Sequence, residues 1–143
     1  MSKDGLKIVV RGCHNLAPFL NLVKNRGSGL PREIELAPLP CTGKIEPHQV
    51  VKFFERGADG ALILACPEGA CRFVQGNIRA AKRVAYAGQW LKELDIEPER
   101  AGFHMFDSEE GQTIEEVINE FHAAVSELGP TDVTGNYAAG GKK

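Results

Sequence analysis

The chain has 143 residues, 43% of them apolar and 25% charged, enough for one globular domain with a substantial core. Its 17 basic and 19 acidic residues leave a net charge of −2, so no charge excess points to nucleic acid or an anionic membrane, and a protein partner is expected. The N-terminus lacks the order of a signal peptide, and the longest apolar run, Ala61 to Cys66, falls far short of the roughly 20 residues that cross a bilayer; a cytoplasmic protein without direct membrane insertion is expected.

In chain order, Lys7 to Val10 is a brief β-prone stretch that ends at Arg11-Gly12-Cys13. Leu16, Phe19, Leu20 and Val23 then recur at helical spacing, with Pro18 in the first turn, where the N–H groups lack helical acceptors anyway. Gly27, Gly29 and Pro31 break the chain, and Glu33 to Leu39 reads as a second strand closed by Pro40-Cys41-Thr42-Gly43. Pro47 opens a helix with Val50, Val51 and Phe54 inward and Gly57 as its stop. Gly60 to Cys66 is apolar without alternation, as expected of a central strand covered on both faces.

After Cys66-Pro-Glu-Gly-Ala-Cys71 the spacing predicts the longest helix, with Val74, Ile78, Ala81, Val84, Ala85, Leu91 and Leu94 on the inward stripe and Gly88 as a weak point. Arg100 to Phe106 reads as a fourth strand. Thr113-Ile-Glu-Glu116 is a capping box, opening a helix with Ile114, Val117, Ile118, Phe121, Val125 and Leu128 inward until Gly129-Pro130. Residues 1–130 thus form a single α/β domain. Residues 131–143 have almost nothing to bury and read as a flexible C-terminal tail.

Alternation of strands and helices at this spacing implies a flavodoxin-like open parallel sheet of four strands, order 2-1-3-4, with helices on both faces. Ligands of such sheets bind beyond the carboxyl ends of the strands. Cys13, Cys41 and Cys66 each fall at such an end, and Cys71 lies on the loop beyond the third, so the fold gathers the four cysteines at one edge. In a reducing compartment they would serve metal ligation, thiol redox chemistry or apolar packing rather than stable disulfides. Four thiolates suit tetrahedral zinc or an iron–sulfur cluster, and spacing alone leaves both open, although zinc usually shows two close Cys pairs and here only Cys66 and Cys71 are close. Helix N-termini following the strands would favour an anionic thiolate site, and Gly12, Gly43 and Gly69 would let the backbone approach it.

Cys41-Thr-Gly-Lys-Ile-Glu-Pro47 is similar to a Cys-x-Gly-Arg/Lys-Val/Ile-Asp/Glu-Pro segment of a known family, the delta subunit of methyl-viologen-reducing hydrogenase. Gly57-Ala-Asp-Gly60, Cys66-Pro-Glu-Gly-Ala-Cys71, and Gly76-Asn77 followed by Arg79, Lys82 and Arg83 resemble the next blocks in the same order. Ile96-Glu-Pro-Glu-Arg100, Ser108-Glu-Glu-Gly111 and Glu127-Leu-Gly-Pro130 continue the resemblance, which runs from Lys7 to Pro130. It implies a [2Fe-2S] cluster on Cys13, Cys41, Cys66 and Cys71. The cluster would relay electrons from a hydrogenase or formate dehydrogenase partner to the flavin subunit of a heterodisulfide reductase, as in anaerobic electron-bifurcating complexes. The sequence departs from the family where Cys13-His-Asn-Leu16 replaces a Cys-x-x-Cys element, at Arg72, where members often carry His, and at Phe106-Asp107, where Ser-Ala is usual.

Other residues have plainer readings. His14 adjoins Cys13 and could replace a ligand, as in Rieske-type centres, but four cysteines suffice. His48, His104 and His122 read as surface or core-edge residues, and Glu68 as an exposed loop carboxylate. Arg72, Arg79, Lys82 and Arg83 read first as a solvated helix face and second as a basic docking face. Phe53, Phe54, Phe73 and Trp90 could line an interface or an electron path, but aromatic residues at helical spacing read first as core. No catalytic constellation or Ser/Thr-rich phosphate cradle for FMN is present, so the expectation is an electron-transfer subunit without catalysis of its own. The rival readings are a zinc-stabilised scaffold and a dithiol redox protein using Cys66 and Cys71, whose spacing departs from the Cys-x-x-Cys pattern.

Overall fold

The computed structural model describes residues 6–13, 16–24, 34–39, 45–65, 76–106 and 111–130. The elements follow in the order β1 (Ile8–Cys13), α1 (Ala17–Lys24), β2 (Ile34–Leu39), α2 (Pro47–Glu55), β3 (Gly60–Ala65), α3 (Gly76–Glu93), β4 (Ala101–Met105) and α4 (Ile114–Leu128). The four strands form one parallel sheet in the order β2-β1-β3-β4, the flavodoxin-like arrangement expected from the alternation. Pro38 falls in β2 at the sheet edge, the kind of strand in which a residue without an N–H is tolerated.

Helices cover both faces. On one, Ile8, Val10, Leu62 and Leu64 pack with Phe19 and Leu22 of α1 and with Val117, Ile118 and Val125 of α4. On the other, Ala61 and Ile63 pack with Val50 and Phe54 of α2 and Val84 and Leu91 of α3. Successive β3 residues thus serve opposite cores, which is why that strand reads as an unbroken apolar run, buried throughout.

Four expectations need correction. The buried stripe of α3 is Ala80, Val84, Ala87, Gly88 and Leu91, whereas Ala85 and Leu94 are exposed and Ala81 half-buried. Small residues decide this: a Cβ at Gly88 would stand 3.3 Å from Pro98 Cβ, so the glycine lets α3 lie against the turn before β4. Trp90, with Tyr86 and Leu94, is left outward rather than in the core. Leu128 is likewise exposed, and β4 begins at Ala101, one residue late, because Pro98–Arg100 form a 3-10 turn.

Two ion pairs set an acid limb on stability. A hydrogen bond from Arg11 holds the Glu35 carboxyl below its ordinary 4.5, and one from Arg100 does the same for Glu97. A folded-state pKa depressed below 4.5 contributes stability that is fully present above pH 4.5 and is lost as pH falls from there through the lowered folded-state pKa. The urea midpoint is therefore expected to drop in acid, and the double variant Glu35→Gln/Glu97→Gln to show a flatter drop. The difference should shrink at high salt, since the two carboxylate side chains are 48% and 47% exposed. An identical acid limb in the double variant would show that neither pair contributes.

Candidate metal centre

Parallel pairing aligns the carboxyl ends of three adjacent strands. Cys13, the last residue of β1, is the partner of Leu39, the last of β2, and one step beyond the Gly12–Leu64 pair brings Ala65, the last of β3, to the same level. In the sequence Cys41 follows Leu39 by two residues and Cys66 follows Ala65 directly. β1 is followed by α1 on one face and β3 by α3 on the other, so the gap between β1 and β3 is the switch point where such sheets take ligands. Cys13 stands there. Cys41, Cys66 and Cys71 lie outside the described residues, as do His14, Gly43, Glu68, Gly69, Arg72, Phe73 and the 131–143 tail. Among the described residues no three Cys, His, Asp or Glu side chains come together as a metal site.

Cys13 is a free thiol, only 3% exposed, in the same apolar cluster as Leu16 and Phe106. Its carbonyl accepts from Leu16 N at 2.9 Å, so the chain turns from β1 into α1 at once. Gly12 has a packing reason: a Cβ there would lie 2.6 Å from Phe19 Cδ2, and its absence lets α1 fold back over the strand end. A buried, strand-held sulfur in apolar surroundings suits a cluster ligand; it equally suits a small core residue, so the donor chemistry rests on the cysteines taken together.

The expected helix N-termini are partly engaged. At α2 the N-cap is Glu46, whose N–H donates to Gln49 Oε1 at 2.8 Å and whose carboxylate lies 3.5 Å from Arg83. At α4 the Thr113 hydroxyl accepts from Glu116 N at 3.1 Å while Glu116 accepts from Thr113 N at 2.8 Å. These two ends are satisfied by their own side chains and offer the cysteines little. On the α1 and α4 side of the same edge, Pro18, Leu22, Phe106, Thr113 and Ile114 help line a cavity of about 590 Å³.

Arg11, to which sequence pattern assigns no role, ties this edge together. It donates to Glu35 Oε2 at 2.6 Å and to the Val10 carbonyl at 3.3 Å, and its guanidinium carbon lies 5.1 Å from the Phe53 ring centre. One cation thus joins β1 to β2 and α2 two residues before Cys13, through charge pairing and a cation–π contact. Arg83 is also drawn inward, donating to the Ile45 carbonyl at 3.2 Å, whereas Arg79 and Lys82 stay at the surface. His48 is exposed on α2, and His104 and His122 are half-buried, as a surface or core-edge reading requires.

An open parallel α/β sheet with a buried cysteine at its switch point and further cysteines immediately after the neighbouring strands defines a flavodoxin-like protein with a candidate thiolate centre. The chain belongs to the family described as methyl-viologen-reducing hydrogenase, delta subunit, which it matches over residues 8–129. It is 36% identical over 100 residues to an iron-sulfur subunit of the F420-non-reducing hydrogenase of Archaeoglobus profundus, covering 70% of this chain and 73% of that protein. The vhu iron-sulfur subunit of the F420-non-reducing hydrogenase of Methanocaldococcus jannaschii is 33% identical over 100 residues, 70% of this chain and 75% of its own. A subunit of the ferredoxin/F420H2-dependent CoB-CoM heterodisulfide reductase of Methanosarcina acetivorans is 30% identical over 100 residues, 70% of this chain but 13% of that much longer one. No helix among the described residues is long and apolar enough to cross a membrane.

Proposed function

We propose that the chain is an electron-transfer subunit holding one [2Fe-2S] cluster on Cys13, Cys41, Cys66 and Cys71. It would pass electrons between a hydrogenase or formate dehydrogenase partner and a flavin-bearing subunit of the heterodisulfide reductase A type, within an electron-bifurcating assembly. The observation that carries the reading is the alignment of the β1, β2 and β3 ends, each at a cysteine or within two residues of one. The relatives' names, which are those of hydrogenase iron-sulfur subunits and of a heterodisulfide reductase component, support the cofactor class and the partners.

When bound, the cluster supplies reversible one-electron exchange. The chain's part is to hold and shield it. Cys13 ends a strand hydrogen-bonded to neighbours on both sides, so its sulfur is fixed by the sheet, and the apolar cluster around it excludes water. Lower local polarity and fixed ligand positions tune a potential and limit rearrangement on electron gain.

The test is iron and acid-labile sulfide content with the EPR spectrum of anaerobically purified, dithionite-reduced protein. About two irons and two sulfides per chain with a spin-half signal are expected. Stoichiometric zinc would replace the relay by a scaffold, and metal-free protein never exposed to air would replace it by a thiol switch.

A further inference from the structure

The three aligned strand ends are not equally supported. β1 and β3 lie inside the sheet with hydrogen-bonded neighbours on both sides, whereas β2, among the described residues, pairs with β1 alone. Cys41 stands two residues beyond the end of β2 in the sequence, so the sheet fixes that position least. The next described residues are Ile45 and Glu46, and both are held firmly. The Ile45 side chain is 3% exposed and belongs to the core shared by α2 and α3, with Val50, Ala80 and Val84. Its carbonyl accepts from Arg83 Nη1 of α3 at 3.2 Å, and Glu46 Oε2 lies 3.5 Å from the same nitrogen. The capping box between Glu46 and Gln49, with Pro47 at the first helical position, makes the same point a stiff helix start.

Arg83 lies two turns, about 10 Å, along α3 from Gly76, and helical side chains lean toward the N-terminus. Its stem therefore runs toward the carboxyl edge of the sheet, where α2 begins and meets it. One guanidinium thus joins two segments 38 residues apart, the one that follows Cys41 and the helix that follows Cys66 and Cys71. An ion pair with a carboxylate that is 47% exposed adds little to the fold itself. We propose that Arg83 is a positioning residue of the cysteine centre, which holds the Ile45 carbonyl and so fixes the segment leading from Cys41 against the helix that follows Cys66 and Cys71. The inference rests on the cluster reading above and adds what keeps the ligand of the edge strand in place. Removing such an outer partner of a metal site lowers its affinity about 10- to 100-fold although every ligand remains.

The experiment follows iron release from the full chain, purified anaerobically with its cluster, to a ferrous-iron chelator, by the decay of visible absorbance. Arg83→Met is expected to speed release about 10-fold or more and to change the EPR line shape of the reduced protein, with the urea midpoint of the metal-free protein nearly unchanged. Arg83→Lys keeps a donor but not the planar fork and should fall between. Arg79→Met removes an exposed cation of the same helix and should release iron as wild type does. Wild-type release and EPR signal in Arg83→Met would overturn the proposal and leave the relay standing. Equally fast release in Arg79→Met would overturn it by making the effect one of charge alone. A urea midpoint that falls in step with the faster release would overturn it by making Arg83 a residue of the fold. Should Arg83→Met not fold, Arg83→Gln, shorter and uncharged, decides by the same readings. A wild-type chain without iron would overturn the relay itself and this inference with it.

Discussion

Cys13→Ala is expected to reduce iron from about two per chain to background and to remove the visible and EPR signals, while the fold survives. Alanine is chosen over serine because the site is apolar: Cys13 is 3% exposed and clustered with Leu16 and Phe106. A serine hydroxyl there would add a burial cost of about 1–3 kcal/mol, and loss of the cluster could then follow from loss of the strand end. Alanine removes one sulfur and leaves a small gap, about 1 kcal/mol. Circular dichroism and a near-unchanged unfolding midpoint of the metal-free protein would certify the fold. Cys41→Ser, outside the described strands, should give the same loss of iron. Full iron content in Cys13→Ala would remove Cys13 from the ligand set.

Arg100→Ala is expected to destabilise the protein by about 3–5 kcal/mol, a large share of the roughly 5–15 kcal/mol typical of a domain. The side chain is 2% exposed and donates to Glu97 Oε1 at 2.7 Å, to the Asp59 carbonyl at 3.0 Å and to the Leu128 carbonyl at 3.4 Å. Asp59 in turn accepts from Lys7 N at 2.9 Å and donates its own N–H to the Lys7 carbonyl at 2.7 Å. One guanidinium therefore joins the starts of β1, β3 and β4 to the end of α4, at the amino edge opposite Cys13. Truncation deprives two carbonyls of donors, about 1–3 kcal/mol each, and leaves a void where the stem packed. Arg100→Lys should recover part of the loss, since an ammonium cannot span the three acceptors as the planar fork does. Because Cys13 lies at the other edge, folded Arg100→Ala should still bind iron. A shift below about 1 kcal/mol in urea unfolding would mean that water replaces the guanidinium.

Topology and the placement of Cys13 at a strand end could be read from the sequence because each depends on local pattern. Apolar period distinguishes strand from helix, Pro47 and the Thr113 box mark helix starts, and a cysteine directly after an apolar run is at a strand end whatever else the chain does. Strand order also followed, since short α/β connections leave few topologies. What the pattern could not show was which of two half-apolar sides α3 would bury. By hydrophobic size Tyr86, Trp90 and Leu94 compete for the core, and they lose because Ala80, Ala87 and Gly88 let the helix approach the sheet and Pro98 more closely. Arg100 and Arg11 were equally silent: their partners lie 41 and 24 residues away at Asp59 and Glu35. The sequence by itself determined the sheet and the strand end on which Cys13 stands, because those follow from neighbours along the chain. Only the tertiary structure decided which cations are engaged and which aromatic side chains are left exposed, because that choice depends on close packing between segments distant in the chain.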